Sequence, residues 1–312
     1  MTANGSSLRV GFIGLGDIGL PMAIRLHETG NRLRVWNRTA SRSASCSALG
    51  IAVAETPAGL AAESDIICLC LSSADAVDAV VFGENGITSA ATAPRIVVDH
   101  STILPEDTRA LCHRLTSATG TGWLDAPVSG GPPGARAGTL AIMVGGRPAD
   151  FELAAPVLAS LGGRITYLGR SGMGQLAKAA NQVINFATAA AIGEAFALAR
   201  AEGLSATILA EALTGGFSDS NMLREYRRAA TAGESAGLKG LIDSYSDLAT
   251  GHRHPEYPGK LDILHKDIAV ATSIASANDI AIPLLRQVEA LGRLIHDRRS
   301  ASASATQRGP TI

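Results

Sequence analysis

LRVGFIGLGDIGLPMA, residues 8–23, decides the fold. An apolar run, LRVGFI, leads into three glycines, Gly14, Gly16 and Gly19, at GxGxxG spacing. Spacing alone says little in a chain of 312 residues that holds 34 glycines. The context says more. The apolar run reads as a buried strand, and IGLPMAIRLHE (18–28) reads as a helix. Glycines between a strand and a helix are what a dinucleotide-binding turn requires. Gly14 permits the tight turn, Gly16 lets the backbone approach a pyrophosphate, and Gly19 lets the helix pack against the strand. Leu15, Asp17 and Ile18 complete the loop, and the helix N-terminus offers its N–H groups to the phosphates.

LRVWN (33–37) reads as the second strand, and it ends in Asn37, Arg38 and Thr39. An NAD-selective site carries an Asp or Glu here, bonded to the ribose 2′-OH. No carboxylate is present. Arg38 can pair with a 2′-phosphate, and Asn37 and Thr39 can add hydrogen bonds, so NADP(H) is favoured over NAD(H). The plainer alternative makes Arg38 a solvated loop charge.

Further apolar runs at 66–71, 95–98, 123–124 and 140–144 alternate with helical stretches near 74–81, 105–118 and 149–160. Alternation of this kind predicts an α/β fold, a doubly wound parallel sheet covered on both faces. After YLGRSGMG (167–174) strand signals stop and Ala- and Leu-rich helical patterns run to 298. The expected organisation is a Rossmann-like domain over 1–170, an all-α domain for substrate and dimerisation over 171–298, and a disordered tail over 299–312. Val183–Ala199 is apolar on nearly every face, so it must be buried on nearly every face. A small helical domain cannot surround so long a rod, which predicts a homodimer or a dimer of dimers. Asn185 and Glu194 interrupt the run and argue against a membrane span.

Hydrophobic residues make up 46% of the chain and charged residues 18%, with a formal net charge of −1. Nucleic acid and anionic membranes need a basic surface, so neither is an expected partner. Cys46, Cys68, Cys70 and Cys112 show neither CxxC nor zinc spacing, and no metal is expected. Reduced cysteines and an N-terminus, MTANGSSLRV, with no apolar core point to the cytoplasm.

Three segments hold polar groups that a core does not need. In DAPVSGG (125–131), Ser129, Gly130 and Gly131 present a hydroxyl and two unobstructed N–H groups, either a nest for a carboxylate or a plain glycine-rich turn. In GMGQLAKAANQ (172–182), Lys178 and Asn181 share a helix face and Gln182 flanks it. A lysine buried there can act as acid or base; an exposed one is a surface charge. HKDIAVA (265–271) places Lys266 and Asp267 at the opening of another helix.

In order, GFIGLGDIGLPMA, the STI of HSTILP (101–103), DAPVSGG, GQLAKAANQ and KD resemble the β-hydroxyacid dehydrogenase family, over residues 8–298. The resemblance implies hydride transfer between a nicotinamide and a small β-hydroxy acid or semialdehyde. It sets Leu71 and Ser72 along the cofactor, Ser72 replacing the usual proline, and Thr102 beside the nicotinamide. It gives Ser129, Gly130 and Gly131 the substrate carboxylate, Lys178 the role of general acid and base, and Asn181, the second catalytic residue, the placing of substrate; Gln182, flanking the same helix face, is read as a substrate contact. Lys266 then lies near the cofactor, and Asp267, counted among the substrate-binding residues, near the hinge of the site. Two other functions stay open: an imine reductase, which shares the WNRT strand but usually lacks the lysine, and a non-catalytic NADP-binding module. The stretch between Lys178 and Lys266 is longer than the family norm. It brings Tyr245, His252, His254 and Tyr257, and Lys260 where an aromatic ring is usual. Residues 245–260 are therefore expected to shape the pocket, with Lys260 favouring a second anionic group.

Overall fold

The computed structural model describes residues 8–234, 237–250 and 261–306. The glycine-rich stretch joins strand β1 (Arg9–Ile13) to helix α1 (Gly19–Glu28). There follow β2 (Arg32–Trp36), α2 (Ala44–Ala48), β3 (Ala52–Val53), α3 (Pro57–Ala62), β4 (Ile66–Leu69), α4 (Ala74–Phe82), β5 (Ile96–Asp99), α5 (Pro105–Thr119) and β6 (Gly122–Asp125). These six strands pair in parallel in the order β3-β2-β1-β4-β5-β6. That is the order of a doubly wound dinucleotide fold, with its switch point between β1 and β4. Strand residues alternate between two cores, as the period of two dictates. Phe12, Ile66, Cys68 and Val98 face α1, while Ile13, Ile67, Leu69 and Val97 face α3, α4 and α5.

Past β6 the sheet stops being parallel. β7 (Val128–Ser129), α6 (Gly131–Ala137), β8 (Leu140–Gly146), α7 (Pro148–Leu161) and β9 (Gly162–Tyr167) come next. β8 runs antiparallel to both β6 and β7, and β9 runs parallel to β8. Sequence patterning misses β3 and β7 because two residues carry no period. It misses β9 because that strand is only partly covered and begins with two glycines.

The chain divides into two compact units, 1–178 and 179–312. The division falls inside helix α8 (Met173–Ala201), a few residues after the boundary expected at 170. The described elements of the second unit are helices: the rest of α8, then α9 (Ala206–Ala212), α10 (Asn221–Thr231), α11 (Gly237–Thr250), α12 (Leu261–Ala277) and α13 (Pro283–Thr306). Phe196 and Tyr226 pack ring on ring at 4.6 Å. The Tyr226 hydroxyl donates to Asp243 at 2.8 Å, and burial together with that carboxylate holds the phenol pKa above its ordinary value.

Several expectations change here. α8 is not covered on nearly every face within one chain: Ile184 is 67% and Leu198 75% exposed. By length and composition α8 could cross a membrane, with a mean hydropathy of 1.3 over its most apolar stretch, 39% of which is buried inside the chain. Of the tail expected over 299–312, residues 299–306 belong to α13, which continues to Thr306, and 307–312 lie outside the described residues. Tyr245 is no pocket loop: it is buried in α11, which extends to Thr250. His252, His254, Tyr257 and Lys260 lie outside the described residues. Lys266 and Asp267 sit in the second turn of α12, not at its opening.

Candidate active site

At the nucleotide end, Gly14 has φ 100°, and a Cβ there would collide with the Cys70 carbonyl. Only glycine suits such a turn. A Cβ built on Gly16 meets nothing within 4 Å, so this stretch of backbone is open to a ligand. Asn37, assigned to the ligand by its position, also has partners within the protein. Its Oδ1 accepts the Leu15 N–H at 2.8 Å and its Nδ2 donates to the Thr39 carbonyl at 2.9 Å. It staples the glycine loop to the end of β2 and leaves Arg38 and Thr39 exposed beside it. Gly19 is buried against the Gly14 backbone, Ile18 is half-buried and Asp17 exposed. A pocket of about 310 Å³ adjoins the loop, lined among others by Leu15, Gly16, Asp17, Ser41, Arg42 and Arg136. Sequence reasoning missed the last three. The spacing of Arg42, four residues after Arg38 on the same turn, was the available signal for one of them. Open backbone at a helix N-terminus, with Arg38 and Arg42 close in sequence, fits a phosphorylated dinucleotide.

The carboxyl ends of β4, β5 and β6 hold the second cluster of the first unit. The Leu71 N–H donates to the Ser101 hydroxyl at 2.9 Å, and the Ser101 N–H donates to Asp99 at 2.9 Å. Ser72 is exposed and Thr102 half-buried. Ser129 closes β7, and Gly130 and Gly131 (φ 132° and 62°) lead into α6. Pro132 and Pro133 follow and have no N–H, so the donors of this turn are the Ser129 hydroxyl and the N–H groups at 130 and 131. Lys178 is 7% exposed on α8, the coverage an acid–base lysine needs. Nearby, His100 is buried with Nδ1 on the Ala126 carbonyl at 2.7 Å, and burial pushes its pKa down to about 4. It is neutral at pH 7.

The second unit joins the remaining residues by hydrogen bonds. Gln182 donates to Asp267 at 2.5 Å, while its Oε1 accepts from Asn181 at 3.0 Å and from Asn185 at 3.1 Å. Lys266 pairs with Asp267 at 3.3 Å. Gln182 and Asp267 are both buried, so they brace Asn181 and Lys266 more than they offer polar atoms of their own. Sequence spacing sets Gln182 within the substrate's reach, and both ends of its amide are bonded to neighbouring side chains.

Comparison with known proteins agrees with this arrangement. Residues 9–169 match the NAD binding domain of 6-phosphogluconate dehydrogenase, and residues 172–307 match the NAD-binding domain of NADP-dependent 3-hydroxyisobutyrate dehydrogenase. A 2-hydroxy-3-oxopropionate reductase of Escherichia coli is 41% identical over 69% of this chain and 73% of its own. A 3-hydroxyisobutyrate dehydrogenase of Mycobacterium tuberculosis, solved with L-serine, is 29% identical, covers 97% of this chain and 99% of its own, and superposes with a TM-score of 0.74. An imine reductase of Streptomyces aurantiacus shares the fold, at 24% identity over 96% of this chain and all of its own and a TM-score of 0.60. The glycine-rich switch point, the buried lysine of α8 and these matches together make the chain a member of the β-hydroxyacid dehydrogenase family, the NAD(P)-dependent oxidoreductases of small hydroxy acids.

Proposed function

We propose that this enzyme is an NADPH-preferring reductase, or in reverse a dehydrogenase, of a small semialdehyde or β-hydroxy acid that carries a carboxylate. The observation that carries this reading is Lys178, a buried amine in the second turn of α8. The 14–19 loop, with Leu71, Ser72 and Thr102, would hold the cofactor; Arg38, Thr39 and Arg42 would hold its 2′-phosphate, and Lys266 would lie near it. Bound NADPH supplies the hydride. Ser129, Gly130 and Gly131 fix the substrate carboxylate and so decide which carbonyl face meets the nicotinamide. Asn181, braced by Gln182 and Asp267, orients the substrate oxygen. Lys178 stabilises the negative charge that develops on that oxygen and gives it a proton; in oxidation it takes the proton back.

An imine reductase is the runner-up, and the acid-bearing lysine together with the carboxylate turn weigh against it. Initial rates across a panel of semialdehydes, β-hydroxy acids and cyclic imines decide between them. A site built around a carboxylate should favour carboxylate-bearing substrates over neutral imines by about 10²-fold or more in kcat/KM. Faster turnover of a cyclic imine would overturn the reading.

A homodimer or a dimer of dimers goes with this function. Ile184 and Leu198 are 14 residues apart on α8, within about 40° of one another around the helix, and both are exposed. Covering one such side chain contributes about 1.5–3 kcal/mol. Light scattering should give at least twice the chain mass, and Leu198→Asp should lower it to one; a wild-type monomer at micromolar concentration contradicts the assignment. We assign the protein to the cytoplasm, in keeping with four cysteines that form no disulfide.

A further inference from the structure

Of the polar side chains completely buried in the first unit, Asp125 and Gln175 have no role in binding or proton transfer as assigned above, yet they join distant segments. Asp125 ends β6, four residues before Ser129. Its Oδ1 accepts the Gly172 N–H at 2.8 Å, and its Oδ2 accepts the Gln175 N–H at 3.1 Å. These amides open α8, where no carbonyl of the helix can reach them. A carboxylate is an all-acceptor group at the positive end of the helix dipole, so it suits the position twice over. The approach is close. A Cβ on Gly174 would collide with the carbonyls of Met143 and Asp125. Only a glycine lets the helix begin this near the strand.

Gln175 extends the connection. Its Oε1 accepts the Ile103 N–H at 3.2 Å, and its Nε2 donates to the Ser101 carbonyl at 2.8 Å. One side-chain amide thus grips the backbone on both sides of Thr102. Lys178 follows Gln175 by three residues, on the same side of the helix. Three stretches that are far apart in sequence are therefore tied together: the strand leading to Ser129, the backbone around Thr102, and the turn of helix below Lys178.

We infer that Asp125 and Gln175 are positioning residues that hold Lys178 in register with Thr102 and the carboxylate turn. The inference rests on the reading of Lys178 as the acid–base group. Neither residue exchanges a proton with the substrate; each acts through the place it gives to the lysine. A displacement of about 1 Å in a reacting group costs up to about 10²-fold in rate.

Asp125→Asn tests this. The amide keeps the size of the carboxyl group but sets an NH₂ against one of the two helix N–H groups. The expected result is a fall in kcat of about tenfold to thirtyfold, with KM and the NADPH dissociation constant changed less than about twofold. In the Lys178→Ala background the same substitution should change kcat by less than about twofold, because residues that act as a unit are not additive. Gln175→Met keeps the carboxylate at the helix start and removes both bonds to the 101–103 backbone. It should give the same pattern, and it carries the test if Asp125→Asn does not fold. An equal loss in both backgrounds marks a general structural role and overturns the inference, as does an unchanged kcat in the otherwise wild-type enzyme. Near-wild-type activity of Lys178→Ala alone is a separate result, and it would overturn the reading of the lysine on which the inference stands.

Discussion

Lys178→Ala is expected to lower kcat by about 10²–10⁴-fold, the usual cost of losing a general acid, while NADPH binds as tightly as before. The reason lies in where the lysine stands. It is 7% exposed, on a helix whose first turn is hydrogen bonded to Asp125 and, through Gln175, to the backbone around Thr102. The cofactor's phosphates are handled elsewhere, by the 14–19 loop and the arginines after β2, so losing the amine should leave cofactor affinity alone. Lys178→Arg separates two roles. It keeps the positive charge but holds its proton too strongly to give it up near neutral pH. A loss close to that of the alanine variant points to proton transfer as the larger share; a mild loss points to charge stabilisation. Rates near wild type in Lys178→Ala would remove the residue from the mechanism.

The parts of the molecule legible in the sequence are those where a physical requirement repeats or is concentrated. Buried parallel strands such as IICL (66–69) are continuous apolar runs, and the turn at Gly14 needs a backbone conformation that few residues adopt. β9 and the two-residue strands were hidden because their pairing owes little to their own side chains. In the site, residue type and spacing pick out Lys178, Ser129 and Arg38. They do not say what an amide bonds to. Asn37 and Gln182 read as ligand contacts from the sequence, and each also bonds a neighbour that spacing cannot reveal, Leu15 in one case and Asp267 in the other. Arg136 reaches the pocket beside the glycine loop from more than a hundred residues away, so only the fold brings it there.

Arg38→Ala should weaken NADPH far more than NADH. Only NADPH carries the 2′-phosphate, and a charge-assisted hydrogen bond is worth about 1.5–3 kcal/mol, or roughly tenfold to hundredfold in affinity. Arg38 is exposed at the end of β2, with no carboxylate paired to it among the described residues. Its side chain is therefore available to an incoming phosphate, and the attraction should fade as salt is raised. The Asn37 amide, bonded to Leu15 and to the Thr39 carbonyl, ties the backbone on either side of 38 to the glycine loop. Arg42 stands in the adjoining pocket and can take over part of the charge, so the single variant should fall toward the lower end of the range. The double variant Arg38→Ala, Arg42→Ala should then lose most discrimination between the two cofactors. Dissociation constants for NADPH and NADH, measured at low and high ionic strength, decide the matter. Equal weakening of both cofactors would mean that these arginines act on the shared part of the dinucleotide, and a wild-type preference for NADH would take the 2′-phosphate site away altogether.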